Sequence, residues 1–374
     1  MIDLEEMRKQ LVRFHGLSGT DAPATFHYDE TNNIRKLHIE EGGLNVADLN
    51  VFVLGGIVHS GHPRLIDLSP LREAIWIQKT ASEIKLKHVA SGVFPDILRS
   101  TKLTTLLRWI SDNDLLIHYQ ALDPFFWSVV DIVDSLVHKI GDPMLIHGHA
   151  VLKSDLTEIL RAEFDATIDL FHRYSYPSLL AEGRAPFLSE LIAMVQRSRV
   201  RLREPHAAIL EQLLRKGLEV DGLVFIEDNM PLRLIGEFST FYISRIALFN
   251  NADHILDMED TIREQIQAMN LTRGGVPATN FRFVDSKTEP GIQPSDVVVG
   301  LLGKMHSYFT RAQLDEVAEV RAGLTGVSLE NAELLRDCIA RSHDANTAYL
   351  NHIISGHHHL KLDCFLRFSD GAFV

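Results

Sequence analysis

The sequence predicts an α/β fold in which a mixed β-sheet has helices on both faces. Three observations indicate this class: strand-like runs separated by turn residues open the chain, apolar runs that suit buried strands recur later, and stretches of helical spacing lie between them. Helical spacing dominates residues 125–217 and returns after residue 310, which predicts a large helical insertion and a C-terminal helical extension. We therefore divide the chain into an N-terminal part of the core (1–124), the insertion (125–217), a C-terminal part of the core (218–310) and a tail (311–374).

The N-terminal part predicts one helix followed by an antiparallel meander. Leu4, Met7, Leu11 and Phe14 recur at helical spacing. Three strand-like runs with turn residues between them follow, at residues 26–29, 34–40 and 51–58. The last of these runs is apolar on both faces, which is typical of a central strand.

The rest of the chain predicts both helices and strands. Outside the insertion, helices are expected from Ser69-Pro70 and at residues 103–110, 238–267 and 294–305, with a helical tail at 314–354. Strands or extended segments are expected at residues 82–87, 115–122, 222–226, 281–284 and 360–368.

Acidic residues recur where a predicted strand ends or a helix begins. Asp29 and Glu30 end the first strand, Asp123 and Asp228 follow later strands, and Asp296 lies at the start of the helix after Pro294. Burial of a charge in a sheet is costly unless something compensates it, so packing explains the adjacent pair poorly. Each acid taken singly could also cap a helix or face water. Strand ends are nevertheless where functional sites assemble in α/β proteins.

The order of the elements is that of a ribonuclease H-like fold. In that fold an antiparallel meander is followed by a helix, a strand and a later helix bearing an acid, and carboxylates from these elements converge on divalent metals. Hard oxygen ligands of this kind select Mg²⁺ or Mn²⁺. Two such ions about 3.5–4 Å apart stabilise both the attacking and the leaving oxygen of a phosphodiester. We therefore expect a ribonuclease H-like mixed sheet with a Mg²⁺ or Mn²⁺ site.

Five short motifs, in order between residues 24 and 310, resemble the family called domain of unknown function 3800. That family typically shows Asp-Glu-Ser-Gly, an apolar Leu-Gly-Gly strand, Glu-x-Lys, Asp-Ser-Lys and Gly-Leu-Gln-x-Ala-Asp. The matching segments here are Asp29-Glu30-Thr31-Asn32, Leu54-Gly55-Gly56, Glu83-Ile84-Lys85, Asp285-Ser286-Lys287 and Gly291-Ile292-Gln293-Pro294-Ser295-Asp296. The resemblance implies a ribonuclease H-like core and a metal-dependent nuclease, often in a phage-defence or mobile-element setting.

The resemblance also implies roles for individual residues. Asp29, next to Glu30, would be the bridging metal ligand and Asp296 the helix ligand. Either Asp123 or Asp228 would supply the middle carboxylate.

The same resemblance assigns residues around the metal. Glu83 would be a further ligand or would orient a base, Lys85 and Lys287 would contact phosphate, and Gln293 would fix the adjacent loop. The chain departs from the family where Thr31-Asn32 replaces Ser-Gly and where Pro294-Ser295 replaces an apolar residue and alanine. Both changes tolerate a turn and a helix start, and neither removes an acid.

Composition and charge limit the classes of partner. The chain has 374 residues, is 45% hydrophobic, contains only two cysteines and shows no long apolar run, so we expect a cytoplasmic protein that does not bind membranes. The start of the sequence does not predict a signal peptide. A net charge of −13 argues against coating nucleic acid through bulk electrostatics. A nucleic-acid substrate would need metal ions or a local basic patch.

Arg197, Arg199, Arg201 and Arg203 are the candidate basic patch. In an extended segment all four guanidinium groups would lie on one side, where they suit phosphate oxygens. In a helix they would spread around the axis and form a solvated face. Both interpretations remain open.

Other catalytic motifs find little support. The histidine-rich segments 147–149 and 357–359 lie beside no cysteines at zinc-finger spacing, and HExxH is absent. Residues 273–275 lack the lysine and hydroxyl of a phosphate-binding P-loop, and no G-x-S-x-G nucleophile elbow occurs.

Three functions follow from these patterns. The first is a Mg²⁺- or Mn²⁺-dependent nuclease that hydrolyses RNA or DNA, as an oligomer or a subunit of a complex. The second is a non-catalytic ribonuclease H-like scaffold whose insertion, residues 125–217, and helical tail dock a protein partner. A strand-transfer enzyme is a third, but it would need a basic DNA-binding module that the sequence does not show. Convergence of the acids discriminates the first two.

Overall fold

The computed structural model describes residues 2–78 and 80–367. These residues form twelve strands. They are β1 (Ile2–Asp3), β2 (Ala24–Thr31), β3 (Leu37–Glu40), β4 (Gly43–Leu44), β5 (Phe52–Ser60), β6 (Leu116–Leu122), β7 (Arg233–Ile235), β8 (Asp253–Asp257), β9 (Leu271–Arg273), β10 (Val276–Pro277), β11 (Phe281–Val284) and β12 (Leu350–Ile353).

The same residues form sixteen α-helices, and two 3₁₀ turns lie at Arg199–Arg201 and Thr347–Tyr349. The helices are α1 (Leu4–His15), α2 (Ser69–Ala74), α3 (Leu86–Val89), α4 (Phe94–Ile97), α5 (Thr101–Asp112), α6 (Pro124–Ile140), α7 (Pro143–Ala162), α8 (Phe164–Arg173), α9 (Ala181–Arg197), α10 (His206–Gly217), α11 (Ser239–Leu248), α12 (Asp260–Ala268), α13 (Ile292–Arg311), α14 (Leu314–Gly323), α15 (Gly326–Ala345) and α16 (Gly356–Leu366).

The main sheet has six strands in the order β11-β8-β2-β5-β6-β12. Strand β5 is antiparallel to both of its neighbours, and every other pair in the sheet is parallel. The predicted α/β class and mixed sheet are therefore confirmed. Strands β2 and β5 pair with each other along their length, and β8 and β6 pair with their other edges. The middle run of the predicted meander therefore cannot pair with either strand in the main sheet. Residues Leu37–Glu40 instead pair with β4 and β7 in a small separate sheet.

Helices cover both faces of the sheet, as expected. On one face α13 lies so close to β2 that a Cβ added at Gly291 would be 2.2 Å from the His27 ring, and one at Gly303 would be 2.4 Å from Thr31. On the other face Phe26 packs against Phe249, which follows α11, with ring centroids 4.6 Å apart. Alternate residues of β2 thus face α13 and α11.

The segment from α6 to α10 is helical, and its apolar side chains form a second hydrophobic cluster. Local sequence explains where α6 begins and ends: the Asp123 carboxylate accepts hydrogen bonds from the first turn, Pro124 occupies the first position, and Gly141 ends the helix at φ 67°. Residues 222–226, predicted as a strand, form a loop. Their apolar residues Leu223 and Ile226 are buried because they pack into this helical cluster.

Three further predictions are wrong in detail. Residues 82–87 are not a strand, because Leu86 begins the short helix α3. The helix expected at 238–267 is interrupted by β8. The tail has its strand earlier, at β12, and a helix, α16, where a strand was expected, because the buried residues Leu362, Phe365 and Leu366 recur at helical spacing. Phe368, the last residue of that expected strand, lies outside the described residues.

Candidate functional site

Two acids meet at the ends of the neighbouring parallel strands β2 and β8. The register pairs Tyr28 with Leu256, so that the next residues along the two strands, Asp29 and Asp257, are neighbours. Side chains of paired residues in a parallel sheet point to the same face, and the strands lie about 4.8 Å apart. Since His27 contacts α13, Asp29 and Asp257 both lie on the α13 side of the sheet.

The third acid, Asp296, reaches this place because the start of α13 lies directly on the sheet. The hydroxyl of the preceding residue, Ser295, is 3.1 Å from the carbonyl oxygen of His27 and accepts a 3.2 Å hydrogen bond from the Ile57 N–H. Asp296 Oδ1 accepts a hydrogen bond of 2.9 Å from the backbone N–H of Leu86. Contacts on two sides therefore hold the first turn of α13, and with it the carboxylate, in place.

Asp29 is a buried carboxylate that forms no ion pair with any residue that the structure describes. Its residue exposure is 7%, Oδ1 accepts a 2.7 Å hydrogen bond from the Glu30 N–H, and Oδ2 accepts none from any residue that the structure describes. Burial, followed by the charges of Glu30, Asp296 and Asp257, raises the pKa of Asp29 well above its usual range. Burial also raises the pKa of Asp257. The site therefore holds more negative charge than its own side chains neutralise.

Glu30 takes part in the same charge cluster from the opposite face of β2. Its carboxyl lies against Tyr242 of α11, and burial is the main cause that raises its pKa to about 7, with the charges of Asp257 and Glu259 adding to the effect. Glu30 is adjacent to Asp29 in the chain, but its side chain does not point toward α13. We therefore separate it from the three carboxylates that do.

Two lysines lie at the rim of the site, and they are the two that the family resemblance implies as phosphate contacts. Lys85 Nζ is 3.3 Å from Asp296 Oδ2 and 3.4 Å from Glu83 Oε2, and Lys287 Nζ is 3.8 Å from Glu83 Oε1. Burial opposes the charge of Lys85, but the charges of Asp296, Asp29 and Glu83 raise its pKa. Both lysine side chains are more than a third exposed, at 41% and 57%, so a ligand can reach them.

Gln293 joins the two loops that carry these lysines. Its Oε1 accepts a 3.0 Å hydrogen bond from the Ile84 N–H, and its Nε2 donates a 3.0 Å hydrogen bond to the carbonyl oxygen of Ser286. Ile84 precedes Lys85, and Ser286 precedes Lys287. One buried side chain on α13 therefore sets the position of both loops.

Asp123 and Asp228 do not join this group. Asp123 follows β6, two strands from β2 and hence about 10 Å across the sheet. It caps α6 and forms a buried ion pair with Arg161. Asp228 is exposed in a loop of the helical segment, because the strand expected before it does not form. The middle acid at the site is Asp257, which the sequence analysis missed.

The sequence pattern that could have indicated Asp257 is only three residues long. Residues 254–256 are His-Ile-Leu, a brief strand-like run that ends in an acid as β2 does. Helical spacing on both sides of this run, in α11 and α12, hid it.

The arginine series of residues 197–203 does not form one extended patch. Arg197 ends α9 and pairs with Glu163 at 2.7 Å, and Arg199 pairs with Glu204 at 2.5 Å. Helix and 3₁₀ turn spread these groups around the axis, and acids neutralise two of the four.

The donor set suits a hard divalent cation. Asp29, Asp257 and Asp296 offer carboxylate oxygens from three elements, and the free Oδ2 of Asp29 is buried among acids. The ammonium group of Lys85 already lies where a positive charge compensates Asp296. Within residues 2–78 and 80–367, no three His, Cys, Asp or Glu side chains stand in a ready-made metal-binding arrangement. A rearrangement of these side chains would therefore have to accompany metal binding.

Comparison with known protein families, with curated proteins and with solved structures finds no match to this chain. The family resemblance of the motifs therefore stays a prediction. In the part of the chain that the structure describes, every helix is too short or too polar to cross a bilayer.

Proposed function

We propose that this protein is a divalent-metal-dependent nuclease that hydrolyses phosphodiester bonds of RNA or DNA. The observation on which the proposal depends is the meeting of Asp29, Asp257 and Asp296, from two strands and a helix, around a buried oxygen of Asp29 that accepts no hydrogen bond from a described residue. Purely structural acids are expected to acquire a cationic or hydrogen-bonding partner when buried. Acids that lack one are suited to a cation supplied from solution.

The strand order supports a ribonuclease H-like core. Counted from β2 as the first strand, β5 and β6 follow as an antiparallel meander on one side, and β8 and β11 continue parallel to β2 on the other. The acids lie on the first strand, the fourth strand and the helix after the fifth. The family motifs add support, because Glu83, Lys85, Lys287, Gln293 and Asp296 are joined by contacts in the structure.

The chain's own groups divide the work of phosphodiester hydrolysis. Asp29, Asp257 and Asp296 would hold Mg²⁺ or Mn²⁺, which supplies Lewis-acid activation of the phosphate and of a water molecule. The exposed Lys85 and Lys287 bind the non-bridging phosphate oxygens and orient the substrate. The water oxygen bonds to phosphorus and releases one proton, the bond to one ester oxygen breaks, and that oxygen leaves with one proton, so that protons balance. Gln293 holds both lysine loops in position through its two hydrogen bonds.

Cleavage assays with labelled single-stranded RNA and DNA test the proposal. We expect cleavage with Mn²⁺ or Mg²⁺, none with EDTA, and a loss on the order of 10³-fold in Asp29→Asn, because several kcal/mol of transition-state stabilisation depends on the metal. Asp169→Asn, an exposed acid on α8, is the matched control and should retain full activity. Circular dichroism and urea unfolding check that each variant is folded.

Two results would overturn the proposal. If the Asp29→Asn variant cleaved at the wild-type rate, the assignment of the acidic site as the active site would be wrong. Wild-type protein that binds an oligonucleotide but cuts neither RNA nor DNA with any divalent metal supports the non-catalytic scaffold instead.

A further inference from the structure

A second cavity, separate from the acidic site, lies where the helical segment meets the rest of the protein. It has a volume of about 630 Å³. Its walls come from the turn after β3, from α7 and α8, from the end of α13 and from α16. Arg311, at this end of α13, is fifteen residues from Asp296, which places the cavity about 22 Å from the acidic site at 1.5 Å per residue.

The lining of this cavity is basic in an acidic protein. Four cations line it, Arg161, Arg201, Arg311 and Lys361, against two acids, Asp48 and Glu158. The chain as a whole has a net charge of −13. A local excess of positive charge on this background attracts an anion.

Two of these cations have no carboxylate partner at salt-bridge distance in the described residues. Arg161 pairs with Asp123, and Arg311 lies 3.7 Å from Asp48. Arg201 is exposed and forms no ion pair with a described residue. The positive charges available to a ligand are therefore those of Arg201 and Lys361.

Of the four cations that line the cavity, Lys361 gives the strongest indication of a bound anion. Only 9% of the residue is exposed, and its Nζ donates a 3.1 Å hydrogen bond to the carbonyl oxygen of Phe309, near the end of α13. That bond uses one of three ammonium hydrogens. Burial lowers the pKa of Lys361, whereas the charges of Glu158, Asp123 and Glu316 act in the opposite direction and favour the ammonium form.

The other wall of the cavity is apolar. Leu44, Leu49 and Phe164 line it, and the Phe164 ring packs against Phe125 with centroids 5.4 Å apart. Cavities of roughly 300–1,000 Å³ with apolar walls and a few placed polar groups are typical of small-molecule sites. Basic side chains on one side and an aromatic wall on the other match the phosphate and the base of a nucleotide.

We propose that this cavity binds a nucleotide, with its phosphate between Lys361 and Arg201 and its base against the wall that includes Phe164. The site is independent of the acidic centre and of any cleavage there. Calorimetric titration of the full-length protein in EDTA, which removes divalent metals from the acidic centre, is the direct measurement. The titrants are a nucleoside diphosphate such as ADP, inorganic phosphate, and a DNA oligonucleotide of four nucleotides.

Wild-type protein should bind ADP at least tenfold more tightly than inorganic phosphate. Lys361→Met and Arg201→Gln should each weaken ADP binding about tenfold, since a charge-assisted hydrogen bond is lost. Arg203→Gln, two residues from Arg201 and outside the cavity lining, is the matched control and should bind ADP within twofold of wild type. Phe164→Ala should weaken ADP binding but leave phosphate binding unchanged. A thermal shift with ADP should appear in wild type and Arg203→Gln but not in Lys361→Met, and the melting curve itself shows that each variant is folded.

Three results would overturn the inference. ADP could fail to bind at concentrations up to about 1 mM. It could bind equally well to the Lys361→Met and Arg201→Gln variants. The oligonucleotide or inorganic phosphate could bind as tightly as ADP or more tightly, which would assign the cavity to a nucleic-acid strand or to a simple anion.

Discussion

Asp29 and Asp123 lie at the same edge of the main sheet and have opposite surroundings. Strands β2 and β6 both flank β5 and run parallel to each other, so their carboxyl ends share one edge. Both carboxylates are buried. Asp123 has an arginine, Arg161, and the N-terminus of α6 as partners, whereas Asp29 forms no ion pair with a described residue and the charges that most affect its pKa are those of acids. The comparison shows that an acid at a strand end indicates a metal site only when the protein itself does not neutralise it.

The largest effect should separate Asp257, which the structure brings to the site, from Asp228, which the sequence suggested. Asp257→Asn should lower the rate of phosphodiester cleavage on the order of 10³-fold, because it removes a metal-binding oxygen. Asp228→Asn should change the rate less than twofold, since the residue is exposed in a distant loop. Single-turnover cleavage with Mn²⁺ measures both. The reverse ranking would mean that the acids around Asp29 do not form the active site.

The next effect concerns the pH dependence of stability in metal-free protein. Glu30 has its pKa raised from 4.5 to about 7, mainly by burial, so the folded state holds a proton that the unfolded state has released between those two pH values. The folded state is therefore favoured at low pH, and this contribution is lost as the pH rises from 4.5 to 7. The loss amounts to about 3 kcal/mol at 1.36 kcal/mol per pH unit.

Glu30→Gln should remove that loss. Buried histidines such as His254, whose pKa burial lowers to about 4, act in the opposite direction. For this reason the informative quantity is the difference in unfolding free energy between variant and wild type, from urea titrations in EDTA. The unfolding free energy of the variant relative to that of wild type should increase steadily between pH 4.5 and pH 7. A difference that does not change with pH would show that Glu30 is ionised in the folded protein throughout this range.

A smaller effect contrasts the two buried acids directly. Asp123→Asn should lower the free energy of unfolding by about 2 kcal/mol, because it leaves Arg161 without its charge partner, and the 23% exposure of the Arg161 side chain reduces the usual cost of such a loss. Asp29→Asn should raise the stability of metal-free protein, since it removes a buried charge that neighbouring acids repel. Urea unfolding in EDTA measures both changes. Equal destabilisation in the two variants would show that Asp29 also has a partner within the protein.

Local sequence patterns were sufficient to predict the strands and helices that have long, regular runs of apolar residues. Strand β5 has nine residues and is apolar on both faces, and α13 has twenty residues with a regular apolar stripe, so period alone identified them. Strand β8 has five residues between two helices, too few for its alternation to stand out. The loop at residues 222–226 is apolar for a tertiary reason, because it fills a gap in the helical cluster.

The partners of the acids could not be predicted in the same way. That Asp123 meets Arg161, 38 residues later, depends on how α7 packs against α6, and that Asp257 rather than Asp228 lies beside Asp29 depends on which strands are neighbours. One sequence contains no direct signal for strand order. The motifs of the family resemblance name Lys85, Lys287, Gln293 and Asp296, and contacts join these residues in the structure, but the motifs do not include Asp257.

The smallest expected effect tests whether Gln293 positions the lysine loops. Gln293→Ala leaves the Ile84 N–H and the Ser286 carbonyl oxygen without their shared partner, so both loops gain freedom, while β2 and β8 still carry Asp29 and Asp257 and Ser295 still anchors the first turn of α13. We expect a fall of about tenfold in kcat, the range seen when residues that orient a metal site are removed, with Mn²⁺ affinity unchanged. Gln293→Glu keeps the acceptor for Ile84 but loses the donor to Ser286, and should fall between wild type and alanine. If Mn²⁺ affinity dropped in step with kcat, Gln293 would instead be supporting the carboxylates, and the lysine loops would have another anchor.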